Sequence, residues 1–472
     1  MTPVSLGVIK ASFTESAKYL VILKRFCKLA EGYGKNIVEY SGPHIFLVTS
    51  DPVIIKDILS SKLCVSKPDL VYDGLTNAWG KGLITLQGTQ WAHQRRILNG
   101  SFKNANLQAF VPVFNKKLDI MFKNIDDDIA KGQNTSLLHY MREMTLRISF
   151  ETVIGRDLDK TEYDVKHMAE IVSKTLEFSG DFTSNFIYLV GIVRVIAKMT
   201  KYKIAASLIV EFNNIILKSM ENYKRLQGID PSYIENSEYT ALENVVTAIQ
   251  RNETVKEDTL GPLLHVFLGA FETSSSTLYY IILLLATHPD VQQQAYEEVC
   301  NIFPEDDEGI FEVTYEQLGH LKYIEMVANE AMRIWPIIPQ VGRKVVGGNL
   351  KLSNGVVLPE GLRIMIDIYN VHRSKEIWGP DAHKFNPDNF QRCNVEARHP
   401  YAFIPFTKGI RTCIGMKYSI INIKIALAKL LKRYRFSTRA KMEDFVFENH
   451  IVLQLMQHPN IKIEKRKMSE NR

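Results

Sequence analysis

The sequence lacks the cysteine patterns that build disulfide frameworks or structural zinc sites. Its 472 residues include only five cysteines, and no two of them form a C-x-x-C pair. A disulfide-stapled domain or a zinc ribbon needs an even set of closely spaced cysteines. The sequence therefore excludes both classes, and we expect the protein to work in a reducing compartment.

Linkers are missing as well. No Pro-, Gly- or Ser-rich stretch, internal repeat or low-complexity tract divides the chain, although its length alone would allow about three domains. Apolar residues make up 46% of the chain and charged residues 23%, which suffices for a large core. We predict one large domain over residues 19–463, mainly α with small β-sheets, between an N-terminal segment (1–18) and a charged tail (464–472).

The chain also has no concentrated basic stripe. The net charge is +6, but the lysines and arginines are spread out rather than gathered as in nucleic-acid-binding domains. We therefore expect no nucleic-acid partner. The first thirty residues hold no apolar run long enough to cross a bilayer, so residues 1–18 are expected to lack a clear membrane anchor and any membrane contact to be peripheral.

What the sequence does contain is a ten-residue stretch, Phe406–Gly415, in which Cys413 lies between two glycines and two residues after Arg411. The glycines let a flat cofactor or the backbone itself come close. A thiol at the start of a helix favours the thiolate, the form that binds metal. Arg411 is placed to pair with a carboxylate on whatever the sulfur holds. The cysteine by itself also fits a small buried apolar residue or a nucleophile that lacks a recognisable base.

Two further patterns lie on predicted helices. Trp91 and Arg95 are four residues apart and share a helix face, which equally describes a core indole beside a solvated arginine. The apolar run 262–286 holds Glu272, Thr273 and more hydroxyl residues at its middle, which would be costly in lipid. We predict a long helix through the core, with its hydroxyls bonded back to carbonyls and a capping box at Thr254 and Glu257 before it.

A third pair, Glu330 and Arg333, meets at spacing i, i+3. Apolar neighbours predict that the pair is buried, and a buried pair needs additional partners. Short apolar runs predict a hairpin at 37–49, a small antiparallel sheet between 343 and 368, and a closing hairpin from 451–455 and 461–463. Residues 65–82 are expected to be turn-rich. A helix is predicted at 414–433, with its lysines Lys424, Lys429 and Lys432 facing solvent.

Together these motifs resemble the cytochromes P-450, the haem-thiolate monooxygenases. The pattern F-x-x-G-x-R-x-C-x-G is similar to their haem-binding loop, and W-x-x-x-R, Glu-Thr and E-x-x-R precede it in the family's order. The stretch Arg398–Phe406 is typical of insect members allied to family four. The resemblance covers about residues 19–463 and implies the cytochrome P-450 fold as a single large domain.

The resemblance also implies roles for individual residues. Cys413 stands at the position of the axial ligand of the iron of haem b, within a loop that includes Phe406 and Arg411. Glu272 and Thr273 correspond to the pair that delivers protons during oxygen activation, and Glu330 with Arg333 to a structural pair. Residues that stand where the family contacts the haem propionates are Trp91, Arg95 and Arg343.

Three positions depart from the family pattern. Ala270 stands where a glycine is usual, and Ser274 replaces the second threonine of the oxygen-activation motif. Asn389 occupies the place of an arginine that joins the E-x-x-R pair in the family. An amide keeps hydrogen-bonding capacity but loses the charge, so we expect a weaker network around Glu330.

The function implied is insertion of one oxygen atom from O2 into a lipophilic substrate, a fatty acid, hormone or xenobiotic. Electrons would come from NADPH through a flavoprotein cytochrome reductase, with cytochrome b5 as a further donor, at the cytosolic face of the endoplasmic reticulum membrane. Residues 186–202 are expected in a core helix or at the lipid surface. The expected reductase-docking face comprises Arg96, Lys408, Lys417 and Lys424. A non-catalytic haem-binding relative and a cofactor-free helical scaffold remain as alternatives.

Overall fold

The computed structural model describes residues 7–10, 30, 32–41, 44–132, 136–161, 163–166, 168–169, 202–229, 240–304 and 311–466. Within these ranges the chain is mainly helical, as the apolar periodicity predicts. The spacing of Tyr19, Ile22, Leu23 and Phe26 predicts an amphipathic helix, but these residues lie outside the described part of the chain, as do residues 186–201. The described helices are α1 Pro52–Ser60, α2 Asp69–Trp79, α3 Gly88–Asn99, α4 Asn104–Ala109, α5 Val111–Ala130, α6 Leu137–Ser149, α7 Tyr202–Ile229, α8 Ala241–Gln250, α9 Leu260–Thr287, α10 Pro289–Ile302, α11 Lys322–Ile334, α12 Ile368–Val371, α13 Lys375–Trp378, α14 Arg392–Ala397 and α15 Met416–Arg433.

The strands form one larger sheet and three two-stranded ladders among the described residues. The strands are β1 Gly7–Lys10, β2 Asn36–Ser41, β3 His44–Thr49, β4 Gln340–Lys344, β5 Leu350–Lys351, β6 Val357–Leu358, β7 Arg363–Asp367, β8 Tyr434–Ser437, β9 Phe447–His450, β10 Val452–Leu455 and β11 Lys462–Lys465. The larger sheet has the order β1-β2-β3-β7-β4 and is mixed, because β3 and β7 run parallel while β7 and β4 run antiparallel. The hairpin predicted at 37–49 is confirmed as β2 and β3.

The pairing of the last strands differs from the prediction. Strand β10 pairs with β9, and β11 pairs with β8, which follows α15 directly. The predicted hairpin between 451–455 and 461–463 is therefore wrong. Sequence proximity favoured the hairpin, but β11 instead returns to a partner about 28 residues earlier, a choice that only tertiary packing determines.

The segment predicted to be turn-rich contains helix α2. Tyr72, Leu75 and Trp79 recur at helical spacing and are buried, which satisfies the usual periodicity of an amphipathic helix. Pro68 precedes the helix and Gly80, with φ +78°, follows it. The proline and glycine therefore mark the two ends of a helix rather than a run of turns.

Helix α9 crosses the core, as predicted. With the preceding turn it is the one described helix, Lys256–Thr287, long and apolar enough to span a membrane, but 83% of its apolar window is buried inside the protein. Its N-terminus has no side-chain cap, and the predicted capping box at Thr254 is wrong. The capping box found nearby joins Thr240 and Glu243 at the start of α8.

Helix α15 is buried on nearly all sides, which corrects the predicted solvent-facing lysines. The Lys429 side chain is fully buried and its ammonium lies 2.6 Å from the Asp119 carboxylate. Lys424 contacts Glu325 and donates to the Leu318 carbonyl at 3.0 Å. Apolar periodicity did not show this, because long lysine stems pack like apolar side chains when a carboxylate meets the ammonium.

Candidate active site

The cysteine loop is held by its own backbone. The Cys413 amide donates to the Phe406 carbonyl at 3.0 Å, which closes the loop just before α15. Gly409 has φ +77°, and a Cβ there would lie 2.0 Å from the Leu59 carbonyl oxygen of α1. The sequence predicts that the glycines make room for either a flat cofactor or nearby backbone. Gly409 does the second, because the backbone of α1 lies against it. At Gly415 a Cβ would make only an ordinary contact, 3.9 Å from Phe102.

The Cys413 side chain is accessible although protein atoms surround it densely. Loss of solvent raises the pKa of its thiol, while the Gly415 N–H and the positive charge of Arg95 lower it by smaller amounts. The predicted preference for thiolate is therefore outweighed by desolvation in the protein alone. A metal ion bound to the sulfur would supply the missing charge, because a metal-bound thiol is deprotonated outright.

Arg411 connects the cysteine loop to the segment before α3. Its guanidinium donates to the carbonyls of Val65, Leu83 and Leu86, at 3.1, 3.2 and 2.5 Å. It also lies 4.1 Å from the ring centroid of Trp91. Burial, followed by the charges of Arg343 and Arg95, lowers the pKa of Arg411 to about 9. Three bonds leave part of its five N–H donors for another acceptor.

Trp91 and Arg95 both lie on α3, as the spacing predicts, with Trp91 buried in the contact with Arg411. Arg95 donates to the Thr412 carbonyl at 2.9 Å and to the Asn99 side chain at 2.9 Å. Burial lowers the pKa of Arg95. The W-x-x-x-R helix is thereby fixed against the residue that precedes Cys413.

Arg343, on β4, is 1% exposed, and its hydrogen bond within the described residues goes to the neighbouring Gly342 carbonyl at 2.8 Å. A second buried cation, Lys67, lies close to it. The Lys67 ammonium contacts the Tyr72 hydroxyl at 3.2 Å. Burial, then the charges of Arg343 and Arg411, lower the pKa of Lys67 well below its usual value. Sequence reasoning missed Lys67 because a lone lysine before a proline carries no local signal.

Lys67, Arg95, Arg343 and Arg411 form what we call the cation cluster. None of the four has a carboxylate within ion-pair distance among the residues that the structure describes. Buried charges are normally paired, and mutual repulsion adds to the desolvation cost here. The donor set therefore fits a ligand that carries more than one carboxylate. Haem, with two propionates and an iron for Cys413, fits this requirement.

The middle of α9 presents one accessible strip. Between Pro262 and Ala286, all of them described, only Gly269, Ala270 and Thr273 are partly exposed. These positions share a face of the helix. The Thr273 hydroxyl donates to the Gly269 carbonyl at 2.6 Å, so the predicted back-bonding of hydroxyls is found, and the oxygen of Thr273 keeps its acceptor capacity.

Glu272, by contrast, is 1% exposed and lies beside α6. Its Oε1 accepts a bond from Arg142 at 3.0 Å, and Ser276 lies 3.5 Å from the same oxygen. The other oxygen, Oε2, has no partner among the described residues. Sequence analysis did not identify Arg142, since 130 residues separate it from Glu272.

Helix α9 and the cysteine loop border one apolar cluster. Ala270 on α9 and Ile414, next to Cys413, both pack at the edge of the cluster that contains the fully buried Phe267 and Phe271. Helix α9 also contacts α15 directly. The fold thus brings the Glu-Thr motif and the cysteine loop, about 140 residues apart, to the same part of the core.

The Glu330–Arg333 pair is fully buried on α11, as predicted. Arg333 makes two bonds to Glu330, both at 2.7 Å, and donates to the carbonyls of His372, Ala382 and Lys384. These contacts satisfy a guanidinium completely. The pair therefore holds α11 against the residues just before and just after α13.

Asn389 does bond to this pair, with its amide nitrogen 3.1 Å from a Glu330 oxygen. The positive charge that Asn389 lacks is provided nearby by Arg398, which donates to the Asn389 carbonyl. The Arg398 guanidinium lies 4.2 Å from the Trp378 ring, and the charge of Glu330 acts on it. Arg398, nine residues after Asn389, thus places a positive charge beside the hydrogen-bond network of Glu330, which we expected to be weaker.

The expected reductase-docking face needs one correction. The Lys424 side chain is 8% exposed and paired with Glu325, so it is not available to a partner. The side chain of Arg96 is 69% exposed, although it also lies 3.5 Å from the Glu253 carboxylate, and Lys417 is exposed and contacts Asn104. Lys408 donates to the Pro400 carbonyl.

The mainly helical fold and the cysteine loop fit the class of haem-thiolate proteins. The cation cluster, which has no carboxylate partner among the described residues, fits the same class. The chain belongs to the cytochrome P450 family, whose model matches residues 16–464. This match confirms the family resemblance and the fold class that the motifs predict. Members of this family are haem-containing monooxygenases, and the chain is accordingly an oxidoreductase of that class.

Three insect proteins similar to the chain align with it over most of their length. The chain is 34% identical to probable cytochrome P450 313a4 of Drosophila melanogaster, covering 94% of this chain and 89% of that protein. It is 30% identical to probable cytochrome P450 313a1 of the same species, over 98% and 93%. Cytochrome P450 4c21 of Blattella germanica is 27% identical, over 90% and 85%, in line with the expected kinship to family four.

Proposed function

We propose that this chain binds haem b through Cys413 and hydroxylates a lipophilic small molecule, with electrons from NADPH delivered by a flavoprotein reductase. When bound, the haem supplies the reduction of O2 and the insertion of one oxygen atom, the other leaving as water. The observation that carries the proposal is the cation cluster. Two of its cations, Lys67 and Arg343, are buried and the other two, Arg95 and Arg411, are half-buried. None of the four has a carboxylate partner among the described residues, and the charge of Arg95 acts on the accessible Cys413.

The protein's own contribution begins with orientation. In this proposal Cys413 would hold the iron, and Arg95, Arg343 and Lys67 would donate to the two propionates. Charge-assisted bonds of this type are stronger than neutral ones, so these three side chains would orient the haem. Arg411, already bonded to three carbonyls, holds the cysteine loop against the segment before α3 and adds positive charge to the site.

Thr273 and Glu272 would move protons. Thr273 lies on the accessible strip of α9 and can accept a hydrogen bond while its own hydroxyl remains on the Gly269 carbonyl. Glu272 lies one residue earlier, with one oxygen that has no partner among the described residues. A carboxyl group next to a hydroxyl can pass protons from solvent to reduced oxygen, which is general acid catalysis.

An apolar substrate class follows from the surroundings. The accessible strip of α9 carries Gly269, Ala270 and Thr273, and the cluster beside it is made of aliphatic and aromatic side chains. Surroundings of this kind bind ligands largely by apolar contact. A fatty acid, hormone or xenobiotic therefore fits better than a charged metabolite.

We place the reductase, and cytochrome b5 where it takes part, on the side of the cysteine loop. The side chains of Arg96 and Lys417 are exposed there, together with the apolar Ile410 and Met416. Lys408 extends this basic rim. An apolar centre with a basic rim suits an acidic flavoprotein, because opposite charges steer association. The endoplasmic reticulum membrane, cytosolic face, is the proposed location.

Reconstitution tests the function directly. Purified protein, NADPH–cytochrome reductase and NADPH are incubated with a panel of fatty acids, steroids and xenobiotics under 18O2, and products are analysed by mass spectrometry. The proposal expects one labelled oxygen atom per product molecule, with turnover lowered roughly 100-fold in Thr273→Ala, the usual scale for a lost proton-transfer group. Haem binding with NADPH oxidation but no product from any of these classes would instead identify a non-catalytic relative.

A further inference from the structure

Arg142 is the partner of the buried Glu272, and its position is unusual for a surface cation. It lies on α6, where its side chain is 25% exposed, and it donates to the Glu272 carboxylate at 3.0 Å. Its Nε and the Glu272 Oε2 have no partners among the described residues. A carboxylate that is 1% exposed is thus connected to the protein surface by one guanidinium with spare donors.

Other charged groups on α6 are engaged elsewhere. Glu143 bonds to His139 at 2.7 Å and to Arg147 at 3.1 Å, and Arg147 also bonds to Asp159 at 2.8 Å. These residues bond to one another or to Asp159, and none of them bonds to Glu272 within the described part of the chain. Glu272 therefore depends on Arg142 for its countercharge.

The remaining polar groups near the pair come from α9 and from the chain after β10. Ser276 lies 3.5 Å from Glu272, and the charges of Glu272 and Arg142 both act on Tyr280. His458 contacts the Tyr279 hydroxyl at 3.1 Å, and burial together with the charge of Arg142 lowers the pKa of His458. Arg142 is thus the cation among these polar groups of α6, α9 and the chain after β10, and Glu272 is its anion.

We propose that Arg142 is a positioning residue for oxygen activation, which holds the Glu272 carboxylate in the orientation from which it delivers protons. The bond from Arg142 occupies Oε1 and leaves Oε2 to receive a proton. The Arg142 side chain, which is 25% exposed, connects this buried carboxylate to the protein surface. This inference rests on the proposed function of Glu272 and adds the residue that controls it.

The proton balance makes the effect measurable without a known substrate. Two electrons from the reductase and two protons convert O2 to hydrogen peroxide. Four electrons and four protons convert it to two molecules of water, which requires cleavage of the O–O bond. The partition of NADPH electrons between peroxide and water in substrate-free protein therefore reports proton delivery at the oxygen that must leave.

The test compares Arg142→Gln, Arg142→Lys and Glu272→Gln, singly and as the double variant Arg142→Gln with Glu272→Gln. Arg147→Gln is the matched control, because it removes an ion-paired arginine from the same helix without touching Glu272. Each haem-loaded variant is mixed with reductase and NADPH, and peroxide, oxygen consumption and the solvent deuterium isotope effect are measured. Thermal unfolding of the same proteins reports whether the pair exists in solution.

We expect Arg142→Gln to lower the rate of water formation by roughly an order of magnitude, less than the roughly 100-fold cost of losing a general acid. The peroxide fraction and the isotope effect rise with it. Arg142→Lys recovers most of the lost rate of water formation, and Arg147→Gln divides NADPH electrons between peroxide and water as the parent does. In the Glu272→Gln background the Arg142 substitution adds nothing, and the two stability losses are non-additive as well.

Two results overturn the inference. In one, Arg142→Gln divides NADPH electrons between peroxide and water as the parent does and shows the parent isotope effect. If the stability losses of the Arg142 and Glu272 variants are nevertheless non-additive, the contact is structural only. The other is an equal effect of Arg142→Gln with and without Glu272. Both leave the proposed function standing, whereas absence of NADPH oxidation in the parent would remove that function and this inference together.

Discussion

The two buried charge clusters of this protein differ in how they are completed. Arg333 lies against a carboxylate and three carbonyls, so every donor finds an acceptor within the chain. The cation cluster around Arg343 has carbonyls and a hydroxyl but no carboxylate among the described residues. The central arginines of the two clusters lie at the same depth, because Arg333 and Arg343 are each essentially unexposed.

The difference separates a structural element from a binding site. A buried ion pair that is complete within the protein stabilises one arrangement of the chain and has nothing left to bind. Buried cations that repel one another raise the energy of the empty site, and an anionic ligand releases that energy on binding. The comparison therefore predicts opposite responses when each cluster loses a charge.

The largest effect is expected at the complete cluster. Arg333→Ala leaves Glu330 buried without its countercharge, and we expect a loss of about 3–5 kcal/mol in the free energy of unfolding. Denaturant titration measures it. Arg392→Ala, which breaks the exposed pair with Glu396, should cost at most about 1 kcal/mol. Equal losses in the two variants would show that the Glu330 network does not hold α11 as described.

Removal of a cation from the incomplete cluster should act on the ligand rather than on the fold. Arg343→Met removes an unpaired buried charge, so the haem-free protein should be no less stable than the parent. Haem should dissociate about 10–100 times faster, since a charged hydrogen bond contributes about 1.5–3 kcal/mol. Transfer of haem to a scavenging apoprotein gives the rate. Lys344→Met, at the neighbouring pair with Asp69, is the control and should keep the parent rate.

A smaller effect is expected in the pH dependence of the haem-free protein. Burial and the charges of Arg343 and Arg411 lower the pKa of Lys67 well below 10.5. Between the folded and the unfolded pKa of Lys67, the unfolded chain therefore binds more protons than the folded one. Stability rises across that window as the pH increases towards 10.5, by about 1.4 kcal/mol for each pH unit. Lys67→Met should flatten this slope.

Haem should flatten the same slope, because its carboxylates restore an anionic partner to Lys67. Unfolding curves collected at several pH values with and without haem measure this. Lys62→Met, at an exposed lysine nearby, should leave the slope of the haem-free protein intact. A slope that persists in Lys67→Met would assign the pH dependence to other groups.

The sequence predicted most of what a local pattern can carry. Helical periodicity located α3, α9 and α15, and the cysteine motif indicated the family. The same reasoning failed where glycine and proline mark helix ends, as at α2, and where strands choose distant partners, as β10 and β11 do. It also misjudged Lys424 and Lys429, because a lysine paired with a carboxylate in the core looks like a surface lysine in sequence.

The site was less predictable than the fold. Lys67 and Arg142 have no motif, and each acquires its role from a residue more than 100 positions away. The compensation of Asn389 by Arg398 is similar, since it depends on how the chain after α14 folds back over Trp378. Such residues are identified by the charges they face, which only the tertiary structure reveals.

The central claim is that Cys413 is a metal ligand beside a site built for haem carboxylates. The reduced carbon monoxide difference spectrum of the purified protein tests it most directly, because the position of the band reports the axial ligand. The account predicts the band of a thiolate-ligated haem in the parent and its loss in Cys413→Ser. An unchanged band in Cys413→Ser, or a parent protein that binds no haem, would contradict it.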